Sequence, residues 1–314
     1  MEERTARDSQ KPTAAAAPDG PRPLRLAGHG GIALAADAWG APDAPPVVLL
    51  HGGGQTRHAW GGTAETLARE GWLAIAVDLR GHGESGWAPG GDYSVEAFVN
   101  DVRAWAGRFR ERPVMVGASL GGVSALLAEG QARDPLCAAL VPVDIPARIE
   151  REGGRRIIAF MQERPEGFAS LEDAADAVAA YLPHRRRPRD LSGLARNLRQ
   201  GPDGRWRWHW DPAFLEPGRG PRPGEDAARL ERAARALRVP TLLVRGRLSD
   251  LLSEEGARHF LSLAPHARFV DVSEAGHMVA GDRNDLFTDA VVAFLRSVRS
   301  AGEQPTAPPA RRSP

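Results

Sequence analysis

The segment that most restricts how this chain folds is Pro113-Val114-Met115-Val116-Gly117-Ala118-Ser119-Leu120-Gly121-Gly122. A β-branched apolar run passes within two residues into Gly-x-Ser-x-Gly and then into an Ala/Leu-rich stretch, so strand, sharp turn and helix are expected in that order. A turn this tight holds its central residue in a strained backbone conformation, and side chains two positions either side of it would collide. Gly117 and Gly121 remove those side chains. The Ser119 hydroxyl then stands clear of the sheet, and the Leu120 N–H opens into the same space from the first helical turn. Glycine and serine are common, so the pattern by itself also fits an ordinary strand-to-helix turn.

Three other features point the same way. A glycine loop, Gly52-Gly53-Gly54, follows the apolar run Val47-Val48-Leu49-Leu50-His51; Asp250 follows a late apolar run; and His277 lies in Glu274-Ala275-Gly276-His277-Met278. The chain order is Ser119, then Asp250, then His277.

Length and charge set the outer limits. The 314 residues accommodate one large α/β domain with an insertion or two modest domains, and 42% hydrophobic content permits a sizeable core. Lys+Arg of 41 against Asp+Glu of 40 leaves a net charge of +1, so no global field gathers nucleic acid or an anionic membrane. The one cysteine, Cys137, excludes an intrachain disulfide and a cysteine-based zinc site, and is expected to be a buried core thiol. Residues 1–19 are charged and lack the apolar run of about seven to fifteen residues of an export signal. No run reaches the roughly eighteen apolar residues that cross a bilayer. A soluble, cytoplasmic protein is the expectation.

Along the chain, 1–23 reads as a disordered leader and 301–314 as a similar tail, both rich in Pro, Ala and Arg without apolar periodicity. Residues 24–26 and 32–39 predict an antiparallel hairpin. Strands at 47–50, 72–77, 114–116 and 138–143 then alternate with helices at 63–70, 95–110 and 120–129, which predicts a parallel sheet covered on both faces. Across 146–238 the rhythm breaks into helical patterns at 155–162, 171–181 and 191–198 with no convincing parallel strand, so an inserted helical cap is expected there. Strand and helix return at 240–244, 253–263, 268–272 and 286–298, making 24–145 and 239–300 the core.

The residues His51-Gly52-Gly53-Gly54, Asp78-Leu79-Arg80-Gly81-His82-Gly83-Glu84-Ser85, Gly117-Ala118-Ser119-Leu120-Gly121 and Gly276-His277 resemble the α/β-hydrolase fold superfamily. Within it they resemble the capped group of carboxylesterases, cofactor-free haloperoxidases and carbon-carbon bond hydrolases. The resemblance spans about residues 24–299 and implies an α/β fold: a mostly parallel, eight-stranded sheet with helices on both faces and an inserted helical cap.

The resemblance also assigns roles. Ser119 is the expected nucleophile, which sets the chain apart from epoxide hydrolases and haloalkane dehalogenases that carry Asp at that turn. His277 is the expected base. Family members often carry Gly-x-x-Asp after the late strand, whereas here Gly246-Arg247-Leu248-Ser249-Asp250 is one residue longer. Ser249 therefore falls where the carboxylate is expected; Asp250 is the first choice of acid and Asp144, after the strand preceding the cap, the alternative. Gly53 and Leu120 are the expected oxyanion donors. His51 and His82 read as structural residues of the strand-end loops. Gly54, Trp206, Trp208 and Trp210 are expected to border the pocket, since alternation with Arg207 and His209 puts the three indoles on one side of an extended segment.

The leading expectation is a serine hydrolase that cleaves an ester, thioester or lactone through an acyl-enzyme, without metal or organic cofactor. The same residues also serve carbon-carbon cleavage, lyase or cyclase chemistry, or perhydrolysis, and a binding protein on this fold is a third reading. The expected partner is a small acyl or carbonyl substrate, with no nucleic acid or membrane; for the run at 185–189 a solvated surface is expected. Sequence leaves oligomeric state and substrate open.

Overall fold

A computed structural model of the chain describes residues 20–147, 151–183, 187, 189–221, 226–277 and 284–302. Of the expected leader and tail, 1–19 and 303–314 lie outside the described residues. The strands in chain order are Arg22–Ala27 (β1), Ala33–Trp39 (β2), Pro46–Leu50 (β3), Leu73–Val77 (β4), Val114–Ala118 (β5), Ala139–Val143 (β6), Leu198–Gln200 (β7), Trp206–Trp208 (β8), Leu242–Gly246 (β9) and Arg268–Val272 (β10). Eight of them form one sheet in the order β1-β2-β4-β3-β5-β6-β9-β10, antiparallel from β1 to β4 and parallel beyond.

Continuous apolar strands fit this sheet because both faces are covered. Successive side chains point to opposite faces, so Val48, Leu50, Ile75, Val77 and Met115 enter one core while Val47, Leu49, Ala74, Ala76 and Val116 enter the other. The first face is packed by helices Val95–Ala106 (α2) and Ser119–Gly130 (α3), the second by Gly61–Arg69 (α1) and the final helix Asn284–Gly302 (α9). Ser253, where the sequence pattern begins a helix, is the N-cap of Glu254–Leu263 (α8), its hydroxyl accepting from the Gly256 N–H at 3.1 Å.

Between β6 and β9 the chain forms Arg151–Gln162 (α4), Leu171–Tyr181 (α5), Ser192–Ala195 (α6), the β7–β8 hairpin and Ala227–Ala236 (α7). The helix expected over 191–198 is a single turn here. Leu198 instead starts β7 and packs with Phe168, Ala174, Trp206 and Trp208, so tertiary contact overrides the local helical pattern. α7, which lies in the stretch read as cap, packs on α3, where a Cβ at Gly130 would lie 2.4 Å from the Ala233 carbonyl oxygen.

Buried charge organises the loops at the sheet's rim. Arg57, whose side chain is 8% exposed, meets Asp37 through Nε at 2.8 Å, Asp78 through Nη1 and Glu84 through Nη2 at 2.8 Å. Asp78 also accepts the backbone N–H of Arg57 and of Glu84. Arg80 forms a two-pronged pair with Asp101 at 2.7 and 2.6 Å.

Two imidazoles complete the rim. An amide N–H only donates, so the Leu79 N–H at 3.0 Å leaves His51 Nε2 unprotonated and puts the proton on Nδ1, which donates to Gly52 O at 2.8 Å. His82 does the same, accepting from the Gly54 N–H at 3.1 Å and donating from Nδ1 to Arg80 O at 2.9 Å. Burial lowers the pKa of both, against the attraction of Asp78, and takes His82 down to about 3.

Two stability predictions follow from this rim. Arg57→Met strands Asp37 and Asp78 as buried carboxylates and is expected to cost about 3–5 kcal/mol, measured by the midpoint and slope of urea unfolding at neutral pH. The unfolded chain takes up protons on His51 and His82 near the ordinary value of 6.5 while the fold holds both below it, His82 down to about 3, so their contribution is present above 6.5 and lost as pH falls. The urea midpoint should therefore drop between about pH 7 and about pH 5, and less so in His82→Asn; equal slopes for parent and variant would contradict this.

Candidate active site

The carboxyl ends of the central strands are level with one another. Leu50 pairs with Val77 and with Gly117, and Ala118 pairs with Val143. The residues that follow, 51–54, Ser119 and Asp144, therefore emerge side by side at one rim, where open α/β sheets place ligand sites. The loop after β10 brings His277 to the same place.

Ser119 opens α3 with φ of 45°, a left-handed conformation costing on the order of 1–3 kcal/mol for a side-chain-bearing residue. Its glycine neighbours are needed for close approach. A Cβ at Gly117 would lie 2.7 Å from the Gly121 backbone, and one at Gly121 would lie 2.6 Å from Leu50 O. That packing sets the glycine loop against the start of α3: a Cβ at Gly52 would be 3.2 Å from Ser119 Cβ, and one at Gly53 would be 3.9 Å from Leu120 Cδ2. The Gly54 N–H is taken by His82, whereas the N–H groups of Gly53 and Leu120 have no acceptor among the described residues.

The carboxylate at His277 belongs to Asp144 and not to Asp250. His277 Nδ1 donates to Asp144 Oδ2 at 2.6 Å, with the carboxylate fully buried and the imidazole 15% exposed. Asp144 stands just past β6 with φ of 53° and also accepts from Ser249 Oγ at 2.5 Å and from the Gly246 N–H at 3.2 Å. Asp250 instead pairs with Arg156 at 3.1 Å and is 39% exposed. The extra residue in the loop after β9 explains the exchange. Ser249 accepts the N–H groups of Leu251 and Leu252, so the loop turns around its hydroxyl and leaves Asp250 on the cavity wall beside Arg156.

These groups line one cavity of about 930 Å³. Its walls are largely apolar, with Val123, Ile145, Ile157 and Met161 among them. Gly54, Trp208 and Trp210 line it, and the two indoles stack at 5.0 Å and 11°. Trp206 does not line it: its backbone bridges Phe168 and its ring joins the small Phe168, Ala174 and Leu198 cluster. Among the described residues the Ser119 hydroxyl makes no hydrogen bond; Ser119 and His277 share the cavity wall.

His209, read in sequence only as a spacer between tryptophans, is buried beside the glycine loop. Its Nδ1 accepts the Gly83 N–H at 2.7 Å and its Nε2 faces Gly54 O at 3.4 Å. Burial, then neighbouring His82 and His51, push its pKa down to about 2. Alternation around an aromatic run was the only available signal. Of the arginine run, Arg187 pairs with Asp176 at 2.7 Å, and 185, 186 and 188 lie outside the described residues. Among the described residues no group of three or more His, Cys, Asp or Glu is placed to hold a metal, and no helix is long and apolar enough to cross a membrane.

Comparison with known proteins bears on the same region. The model of the alpha/beta hydrolase family matches residues 47–290. Esterase Rv0045c of Mycobacterium tuberculosis is 33% identical over 262 residues, covering 80% of this chain and 82% of its own. The 3-hydroxybutyrate-oligomer hydrolase of Cupriavidus necator is 29% identical over 256 residues, covering 78% and 86%. Among solved structures, E-2-(acetamidomethylene)succinate hydrolase superposes with a TM-score of 0.76 over 88% of this chain and all of its own; at 23% identity the likeness is one of fold. Sheet order, strained serine turn and matched length agree: the chain is an enzyme of the alpha/beta hydrolase family.

Proposed function

We propose that the protein is a serine hydrolase that cleaves an ester, thioester or lactone bond, with Ser119, His277 and Asp144 as its catalytic triad. The observation that carries this is the 2.6 Å contact of His277 Nδ1 with the buried Asp144 carboxylate, on the wall that also bears Ser119. With Nδ1 engaged, Nε2 is the nitrogen left to act as base. The Ser119 hydroxyl, which attacks poorly until its proton is removed, meets Nε2 as substrate fills the cavity; such contacts tighten in the substrate complex.

Attack on the substrate carbonyl carbon transfers the Ser119 proton to His277, and the oxygen that gains charge is held by the N–H groups of Gly53 and Leu120. His277 then protonates the leaving alcohol or thiol, and a water activated by the same imidazole releases the acid. Asp144 holds the imidazole tautomer and stabilises its charged form without taking the proton. The scheme uses no metal or organic cofactor. The part of the insertion between β6 and α7 serves as a cap over the site, and its apolar wall suits a substrate whose acyl or alcohol part is hydrophobic. A relative named as an esterase supports ester chemistry over the carbon-carbon and perhydrolase alternatives.

Measured with p-nitrophenyl butyrate on folded protein, Ser119→Ala should lower kcat by on the order of a millionfold and Asp144→Asn by on the order of ten thousandfold. Asp250→Asn should lose less than about tenfold, since its carboxylate serves Arg156. A large loss in Asp250→Asn with a near-parent Asp144→Asn would return the acid's role to Asp250.

A further inference from the structure

We propose that His209 is a positioning residue for the Gly52-Gly53-Gly54 loop, so that the oxyanion donors are aligned only when the insertion is docked on the core. This rests on the reading of Gly53 as a donor given above.

The C=O and N–H of one trans peptide lie in its plane and point in opposite directions, so holding either one aims the other. The Gly52 carbonyl is held by His51 Nδ1 at 2.8 Å and by the Gln55 N–H at 3.1 Å, which turns the Gly53 N–H of that peptide the other way. The next peptide is held through the Gly54 N–H by His82 at 3.1 Å, and the one after it through Gly54 O by His209 at 3.4 Å. Three successive peptides of a loop with no side chains of its own are thus held by imidazoles. Without them this loop is the segment with the most backbone freedom to lose.

The imidazoles form one chain, His51 to His82 at 5.3 Å and His82 to His209 at 5.7 Å between ring centroids. His209 alone comes from the insertion. Because its Nδ1 accepts the Gly83 N–H, its proton sits on Nε2, facing Gly54 O. The neighbouring Asp211 ties the same segment down, donating its N–H to Gly81 O at 2.8 Å and accepting from Tyr93 Oη. Removing His209 therefore releases one peptide of the loop and one contact between insertion and core.

The test compares His209→Ala, His209→Asn and, as a control in the same hairpin with its own exposed partner Asp203, Arg207→Ala. p-Nitrophenyl butyrate gives kcat and KM. An alkyl trifluoromethyl ketone reports the oxyanion site: Ser119 Oγ adds to its carbonyl carbon, the hydroxyl proton passes to His277, and the ketone oxygen becomes the anion. His209→Ala should lower kcat about tenfold to a hundredfold with KM within about threefold, and ketone affinity should fall by the same factor as kcat/KM. His209→Asn keeps an acceptor for Gly83 but not the Gly54 contact, so it should fold and show a smaller, parallel loss. Arg207→Ala should match the parent. The inference is overturned if either His209 variant, folded, keeps kcat and ketone affinity within about twofold, or if KM alone changes. Parent-like activity in Ser119→Ala would sink the hydrolase reading itself, whereas an inactive Ser119→Ala beside a parent-like His209→Ala removes only this inference.

Discussion

The site depends on a contact that only glycine permits: the start of α3 rests on the end of β3, with Gly121 against the carbonyls of Leu50 and His51 and its N–H bonded to His51 O at 3.2 Å. Any Cβ there would sit inside contact distance of backbone oxygen. This one approach brings the serine turn, the helix N-terminus and the glycine loop within reach of one another, and the level strand ends then set Asp144 beside them. The positive φ of Ser119 and Asp144 is strain that the parallel sheet on both sides can hold, because β5 and β6 are central strands, β6 buried throughout and β5 up to Gly117.

Stability and function draw on the same loops. Arg57, Arg80 and the histidines hold the segments between 51 and 85 by buried polar contacts, each with its partner satisfied. Such networks are costly when half-broken. Here they fix the glycine-rich stretches 52–54 and 81–83, while the apolar packing of α2, α3 and α7 secures one face of the sheet beneath.

Much of this was legible in the chain. The strand-turn-helix at Ser119 follows from Gly117 and Gly121, and the two-faced core follows from uninterrupted apolar strands such as 47–50. Position at the sheet's rim was legible too, since each motif directly follows an apolar run. Which of Asp250 and Asp144 meets His277 was not, because it turns on how one extra residue is absorbed in three dimensions. Ser249 absorbs it by gathering two backbone N–H groups and turning its hydroxyl to Asp144. Trp206 was misplaced for a related reason: alternation puts three indoles on one side but does not say what that side faces. The contacts of His209 left no signal beyond its alternation with the tryptophans, since Gly54 and Gly83 lie more than a hundred residues away in the chain.

Convergence of Ser119 with two backbone donors is the claim on which the functional account stands. Its most direct measurement is a crystal structure of the protein after reaction with an alkyl p-nitrophenyl phosphonate, which mimics the tetrahedral state covalently. The account predicts phosphorus on Ser119 Oγ with the phosphonyl oxygen about 2.7–3.1 Å from both the Gly53 and the Leu120 nitrogens. An adduct on another residue, or a phosphonyl oxygen turned away from both, would contradict it.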